Sequence, residues 1–367
     1  MDSVIGLISA NYTNSTFGSL LEERCFASLP FGGRYRLIDF ALSNMVNSGI
    51  RTVGIVTPSR YRSLLDHVGI GMEWGLSRKV GGLFILPGSA YGFSNLNSKF
   101  HLRDIINNRE YIDRDSADYV LFSATNKIYN MDYSPMIKQH VDSGADCTFV
   151  YKPIMDADRT VGPFLQLGEG GKVTGYTRNA FGGGNQFMDC FIINKSLLYR
   201  VMDGFEEVGH LDLPTLLLDH CGQLNLASFA FQGYLGCVDT INDYVACNRD
   251  LFDRSLNREL FWGQNRIHTK VQDSAPTKYL PGGRATNSYI SSGCIIEGTV
   301  ENSILFRNVH VKKGAIVRNC IIMQRGTVGE HAYMENVICD KFATISSHVT
   351  LTGTPENSFL VEKRQKF

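Results

Sequence analysis

The chain has 367 residues, about twice an ordinary single-core domain, so two domains are expected. Its 36 basic and 36 acidic side chains cancel, which leaves no net field to gather nucleic acid or an anionic membrane. With 43% hydrophobic and 20% charged residues, it has ample material for buried cores and lacks the bias of disordered segments.

Apolar runs such as Tyr119-Val120-Leu121-Phe122 fall far short of the roughly 20 residues of a membrane-spanning helix. The start, Met1-Asp2-Ser3-Val4-Ile5, places an acid where a secretory signal needs positive charge, so a cytoplasmic location is expected. Nine cysteines, from Cys25 to Cys339, form no C-x-x-C pair. They are read as reduced core residues and not as a disulfide framework or a zinc site.

In chain order, Ser3 to Ser9, Thr52 to Thr57, Tyr119 to Ala124 and Cys147 to Tyr151 are runs of strand length. The first three are apolar enough for central strands. Between them Leu37, Phe40, Ala41, Asn44, Met45 and Ser48 share a helical face that ends at Gly49, and Met131 to Ser143 repeats the pattern before Gly144. This alternation predicts an α/β, mostly parallel, Rossmann-like sheet over residues 1–240. The segment from about Asp239 to Gln264 reads as helical and overlaps a linker assigned to 241–280. Pro276, Pro281, Gly282 and Gly283 then mark the entry to a different pattern.

From Tyr289 onward, apolar residues recur at sixth positions: Ile290 and Ile296; Val311, Val317 and Met323; Val328 and Met334; Ile345 and Leu351. Such a period, with one inward aliphatic residue per short strand, predicts a hexapeptide β-helix over 281–367.

The most distinctive run is Pro30-Phe31-Gly32-Gly33-Arg34-Tyr35-Arg36-Leu37-Ile38-Asp39-Phe40-Ala41-Leu42-Ser43-Asn44, followed by Ser48-Gly49-Ile50-Arg51. It resembles the corresponding segment of bacterial ADP-glucose pyrophosphorylase (glucose-1-phosphate adenylyltransferase). The resemblance extends to Ile128-Tyr129 with Asp132-Tyr133 and to the C-terminal hexapeptides, and so covers nearly the whole chain. It implies a nucleotidyltransferase-like domain followed by a left-handed β-helix. The activity it implies is the formation of ADP-glucose and diphosphate from ATP and glucose 1-phosphate, for glycogen synthesis.

The chain departs from that family where its chemistry lies. The glycine-rich phosphate loop, with its arginine, is replaced by Asn11-Tyr12-Thr13-Asn14-Ser15-Thr16-Phe17, with Thr16 among the altered positions. Arg24-Cys25-Phe26-Ala27 puts Phe26 at a lysine position. The two Mg²⁺-binding aspartates of the family align with Asn126, beside Lys127, and with Cys237. Neither substitute is a hard anionic ligand. Asp239, two residues beyond Cys237, would be displaced by nearly 7 Å, roughly, in a regular strand. The sugar-phosphate lysine aligns with Arg178 in Thr177-Arg178-Asn179.

The expectation is therefore a chain without catalytic residues, metal or cofactor of its own, Mg²⁺ belonging to a catalytic partner. It resembles the D-type, regulatory paralogue, which implies a heterotetramer with a catalytic subunit and leaves a homo-oligomer open. Arg34, Arg36 and Arg51 are candidates for a phosphorylated small-molecule effector, or pair with acids such as Asp39. Two alternatives stay open. One is a self-sufficient sugar-phosphate nucleotidyltransferase with a rearranged metal site. The other is a hexapeptide acyltransferase whose base is His310, His331 or His348. The nine histidines lack metal spacing, and Gly182-Gly183-Gly184 reads as a flexible connection.

Overall fold

The computed structural model describes residues 3–12, 14–58, 60–89, 98–155, 163–178, 183–204 and 211–367. The strands Val4–Ser9, Thr52–Thr57 and Tyr119–Ala124 form the centre of a sheet of nine strands among the described residues. Val4–Ser9 is parallel to both neighbours, with Leu7 level with Gly54 on one side and Phe122 on the other. Thr52–Thr57 pairs onward, again parallel, with Gly82–Pro87. Beyond Tyr119–Ala124 the direction changes. Gly184–Asn194 runs antiparallel and also pairs with Cys147–Ile154 and Phe164–Leu167. The sheet is thus mixed on this side.

Alternate residues of the central strands feed opposite faces. Leu7, Phe122 and Phe191 join one core, where Phe122 and Phe191 stack with centroids 4.8 Å apart. Ile8, Leu121 and Ile192 join the other, under Met45 of the helix Leu37–Asn47. Burial on both faces explains why these strands read as unbroken apolar runs. The helix starts where the Asp39 carboxylate accepts the Arg36 N–H at 3.0 Å, and Gly49 follows it at φ +83. The second helix occupies Ser134–Ser143 and not the whole of 131–143. Met131 and Tyr133 precede it because their N–H groups donate to the side chains of Asn44 and Ser48.

From Lys278 the chain winds into three five-stranded parallel sheets. Ile296, Val311, Val328 and Ile345 stack in one ladder; Val300, Val317, Met334 and Leu351 stack in another. All face the interior of the coil. Asn302, Asn319 and Asn336 turn successive corners at positive φ, a conformation asparagine tolerates better than most residues. Met323 fits the sixfold spacing but faces outward, because its side of the coil packs on the α/β domain and Ile322 is the inward residue.

That packing makes a third core. Phe17, Phe26, Phe31 and Phe40 meet Ile304, Phe306, Ile321 and Met323 across the junction. The helices Ile241–Asp250 and Arg254–Phe261 lie within the segment read as helical; they contribute Tyr244 and Leu260 to the same core, and Leu251, which caps the first, joins them. The F-G-G run is its hinge-pin: Gly32 and Gly33 turn the hairpin between Pro30–Phe31 and Tyr35–Arg36 at φ +56 and +81. A Cβ on Gly32 would meet Leu251 at 2.9 Å. Arg24 adds a buried ion pair to the β-helix: its Nη2 donates to both carboxylate oxygens of Asp340, at 2.6 and 2.7 Å.

Candidate functional site

The segment after Val4–Ser9 folds inward. Asn14 accepts the N–H and hydroxyl of Thr16 at 3.0 and 2.7 Å and donates to the Asp239 carbonyl at 2.5 Å, which starts a short helix at Ser15–Leu21. Thr16 itself is exposed. Tyr12 and Phe17 are buried against Phe26, with ring centroids 5.4 and 5.2 Å apart, and Phe17 meets Tyr244 edge-on. A phosphate loop needs open backbone N–H groups around a concavity. Here an aromatic plug fills that space, and Phe26 is one of its core members. Thr13 lies outside the described residues.

Next to the plug lies a buried charge cluster. The strand Lys127–Ile128 pairs antiparallel with Gly236–Cys237, so that Lys127 and Cys237 are direct cross-strand neighbours. The Lys127 ammonium lies 3.6 Å from Asp239 and 3.7 Å from Asp189, and Lys99 lies 3.0 Å from Asp189. Asn126 donates its amide N–H to Asp239 at 2.8 Å, while its amide oxygen is buried with no hydrogen-bond partner. Among the described residues, two cations thus face two anions, all of them buried. Burial alone would lower the Lys127 pKa, but the Asp239 and Asp189 carboxylates outweigh it and hold the group well above its ordinary value. Asp239 is raised by burial and, more strongly, lowered by Lys127, Lys99 and Asn126, so it stays ionised below the usual carboxylate range. Burial pushes the Cys237 thiol up, which makes it a neutral neighbour and not a thiolate ligand.

Two features of this cluster were not legible in the sequence. Asp239 reaches Asn126, against the strand-spacing estimate, because the strand ends at Cys237 and Val238 turns to donate to the Asn126 carbonyl at 2.9 Å. Asp189 arrives from a bulge in Gly184–Asn194, at φ +51. Its signal was a lone acid inside the buried run Gln186 to Ile193, which calls for a partner. A magnesium ion does not fit these residues. An ammonium already lies between the carboxylates, and Asn126 presents an amide N–H to Asp239. Among the described residues no group of three or more His, Cys, Asp or Glu side chains is arranged to hold a metal ion.

Comparison with known proteins places the fold. Residues 26–162 match the family described as Nucleotidyl transferase, and residues 275–358 match GlmU-like, C-terminal hexapeptide. The chain is 32% identical to "Glycogen biosynthesis protein GlgD" of Bacillus subtilis (strain 168), over 99% of this chain and 96% of that protein. It is 34% identical to the Geobacillus stearothermophilus protein of the same name, with the same coverage. Glucose-1-phosphate adenylyltransferase of Clostridium perfringens (strain SM101 / Type A) is 31% identical, over 87% of this chain and 84% of that protein. The chain belongs to this GlgD and glucose-1-phosphate adenylyltransferase family. The C-terminal coil is accordingly the left-handed hexapeptide β-helix. The nucleotidyl transferase match begins at Phe26, after the altered loop.

The family's arginine-rich run is spread over different surroundings. Arg36 is half-buried and donates to the Ser63 hydroxyl at 3.0 Å, and burial lowers its pKa to about 10. Arg51 caps the helix carbonyl of Val46 at 2.9 Å. Arg34 alone opens to a groove of about 390 Å³ between the two domains, lined also by Gln272, Ser291, Ser292 and Arg307. Arg307 is only 8% exposed, and among the described residues neither its guanidinium nor that of Arg34 has an ion-pair partner. Arg307 was missed from the sequence because nothing in a β-helix repeat marks which corner faces the other domain. Its pKa is lowered by burial and by Arg34 nearby.

Arg178 stands exposed at the sheet edge beside Tyr176, whose hydroxyl donates to Asp219, and does not join the Lys127 cluster. Asn179 and Gly182 lie outside the described residues, as does His210. Of the other histidines, His67 is buried on Asp39 at 2.5 Å, His310 meets Glu297 at 2.7 Å, and His331 stacks on His348. All nine cysteines are free. Among the described residues no helix is long and apolar enough to cross a membrane.

Proposed function

We propose that this chain is a non-catalytic, regulatory subunit of ADP-glucose pyrophosphorylase in glycogen biosynthesis. In this reading it works in the cytoplasm, in a hetero-oligomer with a catalytic paralogue that carries the Mg²⁺. The observation that carries it is the transfer pocket itself: Tyr12, Phe17 and Phe26 fill the phosphate side, and Lys127 occupies the carboxylate side. Meanwhile the fold and the domain junction are complete. A subunit of this kind raises its partner's activity by binding the active conformation better than the inactive one. Arg34 and Arg307, lining the junction groove, suit the phosphate groups of a small effector.

The rival reading, a self-sufficient transferase with a rearranged metal site, draws on the convergence of Asp189 and Asp239. Lys127 between them weighs against it. Pyrophosphate release from ATP and glucose 1-phosphate with Mg²⁺ separates the two. The expected result is silence for the chain alone and raised or effector-shifted rates when it is mixed with the catalytic paralogue. Turnover by the chain alone would establish the rival, and unchanged kinetics with no complex on size exclusion would sink the regulatory reading.

A further inference from the structure

Lys341 stands on the β-helix side of the domain junction, one residue beyond Asp340, and is half-buried there. Its backbone is pinned on both sides. The N–H donates to the Asp340 carboxylate at 2.6 Å, and the carbonyl accepts the Arg364 N–H at 3.0 Å. Its side chain has no such anchor. The Asp340 carboxylate is already paired with Arg24, at 2.6 and 2.7 Å, and Glu23 on the facing loop is paired with Lys363. Among the described residues the Lys341 amine has no hydrogen-bond or ion-pair partner, although Arg24 and Lys363 each have one. Arg36 completes the group and donates to the Ser63 hydroxyl at 3.0 Å. An amine held in this way sheds its proton easily: burial first, then the charges of Arg36 and Arg24, outweigh Asp340 and bring the Lys341 pKa down to about 7.

We propose that Lys341 is a site of covalent modification, acylated on Nζ by small acyl phosphates. The neutral amine is the nucleophile. Its lone pair attacks the acyl carbon, the N–C bond forms as the C–O bond to phosphate breaks, and the amine proton leaves with the departing phosphate. The products are an acyl-lysine amide and inorganic phosphate, with nothing oxidised or reduced. The surroundings favour that donor at both ends of the step. Lys363, partly exposed, and Arg364, exposed, bring positive charge to the outer edge of the cluster, where an incoming phosphate is attracted. The amide left behind is neutral, which suits a position where Asp340 and Glu23 are already paired and a further cation has no counter-ion. The inference concerns the junction alone and holds whether or not the chain turns over substrate.

The test treats the full wild-type chain with acetyl phosphate and follows the initial rate of acetylation at each lysine by peptide mass spectrometry, with the exposed Lys79 and Lys278 as references. At neutral pH about half of an amine with this pKa is unprotonated, against roughly 0.04% of an ordinary lysine. A weaker base is also a weaker nucleophile, which returns part of that advantage. The expected result is acetylation of Lys341 on the order of tenfold faster than the references at pH 7. Its rate levels off above neutral pH while theirs keep rising to about pH 10. About 1 M NaCl narrows the preference by screening the cations. Lys341→Arg removes that product and leaves the reference rates unchanged. Modification of Lys341 no faster than the references overturns the proposal, as does a rate that climbs in parallel with theirs between pH 7 and 10. A preference that salt leaves untouched overturns the part given to Lys363 and Arg364.

Discussion

The pocket behind Tyr12 and the groove beside Arg34 are both flanked by the F-G-G hairpin's neighbourhood, yet they have been treated in opposite ways. The pocket is packed with rings, and Lys127 and Lys99 lie against Asp189 and Asp239 there. The groove keeps about 390 Å³ of space and two guanidiniums without ion-pair partners among the described residues. Charge left uncompensated at a cost is a better marker of binding than charge that is satisfied. The contrast teaches that a plugged pocket and an open, charged groove can sit in one chain, since the two lie in different layers of packing.

Several substitutions test that contrast, and the largest effects belong to the filled side. Phe26→Ala removes the ring on which Tyr12 and Phe17 rest and costs about 3–5 kcal/mol by urea unfolding. A cost under about 1 kcal/mol would show that the plug is not packed. Arg24→Ala leaves Asp340 buried without its partner and costs a similar amount, about 3–5 kcal/mol in the same measurement. On the open side, Arg34→Ala changes stability by no more than about 0.5 kcal/mol. Phosphate-ester stimulation of the mixed enzyme falls roughly tenfold or more with it, as expected for loss of a charged hydrogen bond. Equal stimulation by wild type and variant would remove Arg34 from the effector site.

The smallest effect is a pH limb. The folded pKa of Asp239 lies below its unfolded value, so its contribution to stability is fully present above the ordinary aspartate range and is lost as pH falls through the depressed value. Lys127 is shifted up, so its contribution is present below the ordinary lysine range and fades as pH rises through the folded value. Between those limits the cluster adds no slope. Urea midpoints across acidic pH check this, since Asp239→Asn abolishes its share of the acid limb; an unchanged limb would mean the carboxylate is not held ionised by its neighbours.

Much of the fold was legible because it is written in local periods. The strands at Val4–Ser9, Thr52–Thr57 and Tyr119–Ala124, the helix ending at Gly49, and the stacked ladders of Ile296 and Val300 all follow from spacing within a few residues. The site was half legible. Replacement of the family's residues by Thr16, Phe26, Asn126 and Cys237 can be read directly, because each change is one of residue type at a recognisable motif. What fills the vacancy could not be read. Lys99 and Asp189 are ninety positions apart, and Asp239 meets Asn126 only because a strand stops one residue short of where regular pairing would carry it. Arg34 and Arg307 likewise converge through the junction core and not through any motif.

That junction core has a mechanical consequence. Phe31, Phe40, Tyr244, Phe306 and Met323 interlock with no seam between the domains, and Arg24 bolts the loop to Asp340 from the other side. A molecule seated in the groove therefore finds no jaw to close. Force applied at the groove is passed on as a tilt of the whole body, so the chain behaves as a lever and not as a pair of jaws.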